Sequence, residues 1–249
     1  MLAYNSYVGT GTSWQLRERQ KPEQYSAELR LASNGEGPLQ YIFGGYYLDT
    51  SMSARAQSEN ATRKLFSDSF TELTGWTWAA FGQLTYSLTP ALRLVGGARY
   101  TYEEKTSDSF RYTLANTVGP DPVIPPGPVG APNLSVVASR SWDRVNWKAG
   151  VEFDAADRSL IYANVSTGFK AGGFFYGPPA AQSYEPELVT SYVLGSKNRF
   201  ADNRLQVNAE AFFLDYRDQQ VSFVKLVGNS AVLVTENAGK STAYGVELE

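Results

Sequence analysis

The stretch NRLQVNAEAFFLDYRD, residues 203–218, alternates for most of its length: Leu205, Val207, Ala209, Ala211 and Phe213 fall on one side, Arg204, Gln206, Asn208 and Glu210 on the other. Successive side chains of a strand point to opposite faces, so this segment, extended, has one apolar and one polar face. A half-buried strand of a soluble sandwich and a lipid-facing strand of a membrane barrel share that pattern. The rest of the chain decides between them.

Alternation recurs along the sequence. Tyr25, Ala27, Leu29 and Leu31 share a face in 23–33; Trp76, Trp78, Ala80, Leu84, Tyr86 and Leu88 do so in 75–88, and Leu92, Leu94, Ala98, Tyr100 and Tyr102 in 91–104. Val145, Trp147, Ala149, Val151 and Phe153 oppose Arg144, Asn146, Lys148 and Glu152; Ile161, Ala163, Val165 and Phe169 follow, then Tyr192, Leu194 and Phe200. Residues 38–52 are apolar on both sides, so their facing cannot be assigned from the pattern. No helical period of useful length occurs.

Short connections at 33–38, 89–90, 154–157 and 201–203 carry the Gly, Pro, Asn and Asp of tight turns. They interleave with long ones expected at 53–74, 105–140, 171–185 and about 218–238. A meander with tight turns at one end and long loops at the other is the plan of an outer-membrane barrel. Strand length favours it too, because these runs approach the 9–11 residues that cross a bilayer rather than the 5–6 of a typical soluble strand. Aromatic residues, among them Trp76, Trp78, Tyr86, Tyr100, Tyr102, Trp142 and Phe153, sit toward the ends of their runs, where interfacial girdles lie. The expected fold is an all-β, antiparallel up-and-down transmembrane β-barrel. It is partial, with nine or ten strands and both ends of the sequence breaking off inside the pattern.

Composition removes other classes. With 22 basic and 25 acidic residues spread along 249, a nucleic-acid-binding footprint is missing. Cys and His are both absent, which removes disulfides, thiolate and imidazole metal ligands and the usual nucleophile–His pairs. No enzyme, cofactor or metal site is expected. The AGKS at 238–241 lacks the glycine-rich run of a phosphate loop, since Val234 stands five residues before Gly239. The carboxylate pairs Asp215 and Asp218, Glu185 and Glu187, and Glu103 and Glu104 read as strand-end charges. On the polar face Arg93, Arg99, Arg144, Lys148, Glu152, Lys197, Arg204 and Glu210 are expected to pair between strands.

Residues 184–221, with Glu185-Pro-Glu, Tyr192-Val-Leu-Gly-Ser-Lys197, the Asp202-Asn203 turn and a strand ending Phe212-Phe213-Leu-Asp-Tyr-Arg-Asp218, closely resemble a stretch of TonB-dependent outer-membrane receptors. STGFKAGGF at 166–174, NAGKSTAYGVELE at 237–249, QYSAELRLAS at 24–33 and LRLVGGARYTYEEK at 92–105 resemble the same barrel. Val193 departs from the family, which often carries Glu there. The resemblance implies residence in the outer membrane of a Gram-negative bacterium. It further implies capture of a scarce nutrient, commonly a ferric siderophore, and import energised through the TonB complex acting on the receptor's own plug domain. It makes residues 1–249 a segment of the barrel domain, about nine or ten of the family's 22 strands, cut at both ends, without the plug. Outer-membrane lipid would surround it, and no nucleic acid is a partner. Phe174, Phe175 and Tyr176, in a long outer loop, are the candidate ligand contacts. A passive porin-type channel and a soluble β-rich binding protein remain the alternatives.

Overall fold

Through the middle of the main sheet, cross-strand pairing sets mostly apolar residues against apolar ones on one face, which is how the local alternation becomes a wall. The computed structural model describes residues 2–9, 12–60, 65–115, 131–175, 182–227 and 230–249. Ten strands form one antiparallel sheet: β1 (Leu2–Gly9), β2 (Thr12–Ala32), β3 (Leu39–Asn60), β4 (Leu65–Ser87), β5 (Leu92–Ala115), β6 (Leu134–Ala156), β7 (Ser159–Lys170), β10 (Glu187–Phe200), β11 (Leu205–Arg217) and β14 (Lys240–Leu248). Two short pairs stand apart from it, β8 (Gly173–Phe174) with β9 (Ser183–Tyr184), and β12 (Gln220–Val227) with β13 (Ser230–Asn237).

Register carries the apolar face across the sheet. Leu31 opposes Phe43, Ala27 opposes Tyr47, Tyr47 opposes Trp78 and Trp78 opposes Tyr102. Tyr100 meets Val145, Val151 meets Ala163, Ala163 meets Leu194, Leu194 meets Ala211 and Ala211 meets Val246. The pairing with β4 also settles residues 38–52: Leu39, Tyr41, Phe43 and Tyr47 join the apolar face, while Ile42, Tyr46 and Leu48 point the other way. Val193 lies on the polar face, opposite Asn164 and Phe212.

This apolar face is open to its surroundings. Leu29 is 80% exposed, and Leu84, Trp147, Leu194, Leu205, Val246 and Leu248 are exposed as well, whereas among the described residues the buried apolar ones are Ala79, Val95, Val136, Trp142, Ala171 and Val234. A soluble sandwich would bury the first set. Lipid is the solvent in which a continuous outward face of Leu, Val, Ala and aromatics costs nothing. Toward the long-connection end the face closes on an aromatic band in which Trp76 lies 5.2 Å from Tyr102 and Trp78 5.3 Å from Tyr100, centroid to centroid. Beyond that band the outward positions turn polar: Ser51, Ser53 and Arg55 on β3, Thr74 and Glu72 on β4, Glu104 and Thr106 on β5.

The expected loops at 53–74 and 105–140 are therefore mostly strand. β3 and β4 stay paired to Asn60 and Leu65, and β5 and β6 to Arg111 and Leu134, in strands of 22 to 24 residues. That is about twice the length needed to cross a bilayer. Above the membrane both faces meet polar surroundings, so the alternation fades while the backbone ladder continues. The regions 171–185 and 218–238 likewise contain the β8–β9 and β12–β13 pairs. The tight turns at 33–38, 89–90 and 201–203 fall where expected, with Ala201, Asp202 and Asn203 all at positive φ in the β10–β11 turn, whereas the one expected at 154–157 lies at 157–158 because β6 stays paired to Ala156 across a bulge.

On the inward face the expected ion pairs form in part. Arg93 bridges Glu152 at 3.0 Å and Asp154 at 2.5 Å. Arg99 instead lies over the rings of Tyr46 and Phe81, at 5.3 and 5.6 Å. Glu210 accepts a 2.6 Å hydrogen bond from the Tyr162 hydroxyl, and Lys197 Nζ sits 5.7 Å from that ring. Gly195 leaves room for this, because a Cβ there would come within 2.5 Å of the Tyr162 ring. Arg144, Lys148 and Arg204 have no carboxylate partner among the described residues.

The sheet does not close on itself: among the described residues β1 pairs with β2 alone and β14 with β11 alone. Two free strand edges beside an exposed apolar face favour self-association. The 249-residue chain refolded without detergent is expected to sediment as aggregates. A monodisperse, cooperatively melting monomer under those conditions would contradict the lipid assignment.

Candidate functional site

Local sequence explains why the chain turns inward after β7. Lys170 ends a strand, Ala171-Gly172-Gly173 follows, and Gly172 passes so close to the wall that a Cβ would lie 2.1 Å from the Tyr184 carbonyl oxygen and 2.5 Å from Trp142 Cζ2. Only glycine permits that approach. The β8–β9 pair then lies against the polar face of β5 and β6, with Phe174 opposite Ser183 and Phe175 N–H donating to the Gln182 carbonyl at 3.0 Å.

Trp142 is the centre of this contact. The girdle expected for it is wrong: it opposes Glu103 on the inward face and is 7% exposed. An inward parity at the end of β6 carries it away from lipid and under β8–β9. Its ring lies 6.4 Å from that of Phe174, its Nε1 donates to Glu185 Oε2 at 3.2 Å, and Lys105 Nζ stands 5.9 Å from the ring centroid. Lys105 also donates to the Gly172 carbonyl at 3.1 Å and pairs with Glu103 at 2.9 Å. Arg140 bridges Glu185 at 3.0 Å and donates to Ser183 Oγ at 2.5 Å, and Gln182 donates to the Ser135 carbonyl at 2.7 Å.

A second clamp comes from the base of the β12–β13 hairpin. Asn237 accepts from Glu185 N–H and donates to the Glu185 carbonyl, both at 2.8 Å. Gln220 Nε2 donates to the carbonyls of Ala171 and Glu185 at 3.0 and 3.1 Å, and its backbone N–H donates to Glu187 Oε2 at 2.8 Å. Glu185 and Glu187 thus hold structure together. So do Glu103 and Asp215, the latter paired with Arg217 at 3.2 Å. Lys240 and Ser241 of the AGKS segment begin strand β14 rather than a helix, so no phosphate cradle forms.

Between β8–β9 and the inner surface of β2–β5 lies a cavity of about 410 Å³, lined by Pro22, Met52, Leu73, Lys105, Phe174 and Tyr184. That is within the range of small-molecule sites, which are mostly apolar with a few polar groups. The amine of Lys105 is already occupied, as described. The Tyr184 hydroxyl has no hydrogen-bond partner among the described residues, and burial pushes its phenol above the ordinary tyrosine range. A larger hollow of about 630 Å³ is lined by Ala149, Val151, Ala163, Val165, Leu194 and Ala211. It opens on the outward, lipid-facing side of the wall, away from the inward cavity.

Of the three candidate contacts, Phe174 lines the cavity, Phe175 is half-buried beside it, and Tyr176 lies outside the described residues. Sequence reasoning missed Trp142, Lys105, Tyr184, Met52 and Leu73. For Trp142 a signal existed, since it shares parity with Arg144, Asn146 and Lys148. For Met52 and Leu73 none did, because Met52 ends the stretch whose facing the pattern leaves open and Leu73 falls in one read as a loop. No cluster of carboxylates able to hold a metal ion occurs among the described residues.

The family model described as "TonB dependent receptor-like, beta-barrel" matches residues 2–249. The pesticin receptors of Yersinia enterocolitica serotype O:8 and of Yersinia pestis are each 28% identical over 235 residues, covering 92% of this chain and 31% of theirs. This chain therefore spans about a third of the length of those relatives. Among solved structures, the ferric yersiniabactin uptake receptor FyuA from Yersinia pestis aligns with a TM-score of 0.72 at 23% identity, over 98% of this chain and 34% of that one. The copper transporter OprC aligns with a TM-score of 0.63 at 15% identity, over 95% of this chain and 39% of that one. These likenesses share the fold. The inverted exposure, the register of the wall and the match over the whole chain agree, and the chain belongs to the TonB-dependent receptor β-barrel family, whose members are receptors of the Gram-negative outer membrane and not enzymes.

Proposed function

We propose that this protein captures a scarce nutrient of the ferric-siderophore type at the cell surface and imports it with energy delivered through TonB to a plug domain, the present wall and its connections forming part of the capture site. The observation that carries this reading is the Phe174- and Tyr184-lined cavity at the long-connection end of the wall. Outer-membrane barrels keep their long connections outside the cell, which puts the cavity toward the medium. A pesticin receptor among the relatives and a ferric yersiniabactin uptake receptor among the fold neighbours support the ligand class.

The test has two parts. The chain has no cysteine, so single cysteines report sidedness cleanly. Val224→Cys in the exposed β12–β13 hairpin should react with a membrane-impermeant maleimide on intact cells, and Asn34→Cys in the β2–β3 turn should not. Uptake of ⁵⁵Fe presented as siderophore complexes should vanish when the gene is deleted and return with the wild type. Phe174→Ala should weaken uptake affinity about tenfold, the worth of one aromatic contact. Wild-type affinity in Phe174→Ala, or labelling at residue 34 and not at 224, would refute the placement of the site.

A further inference from the structure

Strand β6 has a neighbour on both sides only in its lower part. Its pairing with β5 runs from Phe153 up to Leu134 without a break in register, but its pairing with β7 stops at Lys148, opposite Ser166. Strand β7 continues beside β10 to Lys170 and the chain then turns inward. Residues 134–147 of β6 therefore have a partner strand on one side alone among the described residues. Two side-chain bonds identify the backbone groups on the open side. Trp147 N–H donates to Thr167 Oγ1 at 3.0 Å, in place of a β7 carbonyl, and further up the Ser135 carbonyl accepts from Gln182 Nε2 at 2.7 Å. The N–H and C=O of one residue in an antiparallel strand point to the same neighbour, and the side alternates along the chain. Val137, Ser139, Ser141, Asp143 and Val145 share the parity of Ser135 and Trp147, so their N–H and C=O groups face the open edge, where no described residue bonds them.

This edge stands outside the membrane and is accessible. Tyr100 and Tyr102 of the aromatic band oppose Val145 and Asp143, so Ser141, Ser139 and Val137 lie above the band, and Val137 is 67% exposed. Free edges are templates for strand addition, and proteins usually blunt them with proline, lysine or a bulge. Between Val137 and Ser141 the outward side chains are valine and serine, with no proline and no bulge. At the foot of the edge, where β6 parts from β7, lies a hollow of about 200 Å³ lined by Arg144, Asn146, Thr167, Thr190 and Asp215. Alternating N–H and C=O groups in a row are completed by an extended polypeptide. The sequence neighbours β5 and β7 are already in place, and further strands of the wall can join it only at its end strands, β1 and β14. Two copies in one membrane run β6 in the same direction, so antiparallel pairing of their edges would need one copy inverted. A segment from the medium meets neither obstacle. Charge restricts its side chains: on the inward face of the edge Arg140 is bridged to Glu185, whereas Arg144 is exposed and meets no carboxylate among the described residues, so an acidic residue complements it.

We propose that the β6 edge from Val137 to Val145 docks a protein partner from outside the cell, which adds an extended segment antiparallel to β6 with acidic side chains toward Arg144. Main-chain bonds supply the affinity, and the alternate side chains supply the selectivity. This docking is independent of the nutrient the receptor takes and rests on the long connections being outside.

The test uses the intact receptor in detergent and a labelled, acetylated peptide of alternating threonine and glutamate as probe, with binding read by fluorescence anisotropy and by residue-level hydrogen exchange. Amides of Val137, Ser139 and Ser141 should exchange fast in the free receptor and slow down when the peptide is added. Methylating the peptide's amide nitrogens on the side that faces β6 keeps its side chains and removes the ladder, and should weaken binding about tenfold or more. Lysine in place of glutamate should weaken it about fivefold, and Arg144→Glu should reverse that preference. Ser141→Pro removes an N–H that faces the open edge and takes no part in the β5 ladder, so it should abolish binding in a folded receptor, while Ser141→Ala leaves binding intact. Unchanged exchange in β3 and β4 verifies that each variant is folded. Slow exchange along the edge of the free receptor would show that its own chain covers it, and a receptor dimer dissolved by Ser141→Pro would make a second copy the occupant. Either result rejects the proposal, as would absence of peptide binding, equal binding of the methylated peptide, or an unchanged charge preference in Arg144→Glu.

Discussion

Replacing Ala209 with arginine is expected to destabilise the membrane-inserted protein by about 2–4 kcal/mol, the cost of a cation on the lipid face near the bilayer midplane. Ala209 qualifies by register. It opposes Ser196 and Leu248, and it lies midway along β11 between the aromatic end at Phe213 and Leu205, which faces Phe200 at the tight-turn end. Its neighbour Asn208 points inward, opposite Lys197. Asn208→Arg should therefore cost far less, with at most about 1 kcal/mol from the like charge across the strand. Refolding into lipid vesicles with urea titration measures both. Equal losses for the two variants would mean that the two faces of β11 meet the same medium, and the membrane assignment of the wall would fail.

Trp142→Ala is the second change with a large expected effect. Removing a buried tryptophan costs about 3–5 kcal/mol where the surroundings cannot collapse. Here the loss should be local, because the ring separates the wall from β8–β9 rather than filling a core shared by the whole sheet. Hydrogen exchange in residues 171–175 and 182–186 should accelerate by two orders of magnitude or more while β4 and β5 keep their protection. Trp142→Phe keeps most of the packing and loses the donor to Glu185, a bond to a charged acceptor worth about 1.5–3 kcal/mol, and less here because Glu185 is half-exposed. An intermediate exchange rate is expected for it. Unchanged exchange in Trp142→Ala would show that β8–β9 is held by its polar clamps alone, Asn237 and Gln220 on one side and Arg140 on the other.

The polar clamps could not be read from the chain. Asn237 reaches Glu185 across 52 residues and Gln220 reaches Ala171 across 49, and each is an ordinary loop-type residue with no motif around it. Phe174 was legible as a rigid aromatic on a connection. Tyr184 was not, because its unoccupied hydroxyl matters only once the cavity exists. The family resemblance rests on ordered fragments between 24 and 249, and the family match extends further toward the start, over residues 2–249.

What the amino-acid order determined by itself is the facing of the membrane-spanning segments. Alternation is a local property, set by successive side chains on one strand, and Leu29, Trp78, Tyr100, Val151, Ala163, Leu194 and Ala211 all lie on the expected side. Tertiary structure alone decided three things: the facing of residues 39–52, the height of the wall above the membrane, and the inward burial of Trp142. Each depends on a partner elsewhere in the chain. Tyr47 takes its side from Trp78, the upper halves of β3 to β6 are strands because their neighbours extend with them, and Trp142 is buried because the β8–β9 pair folds back over it. Where both faces of a strand meet water, periodicity has no physical cause, and only the backbone ladder between strands keeps the chain extended.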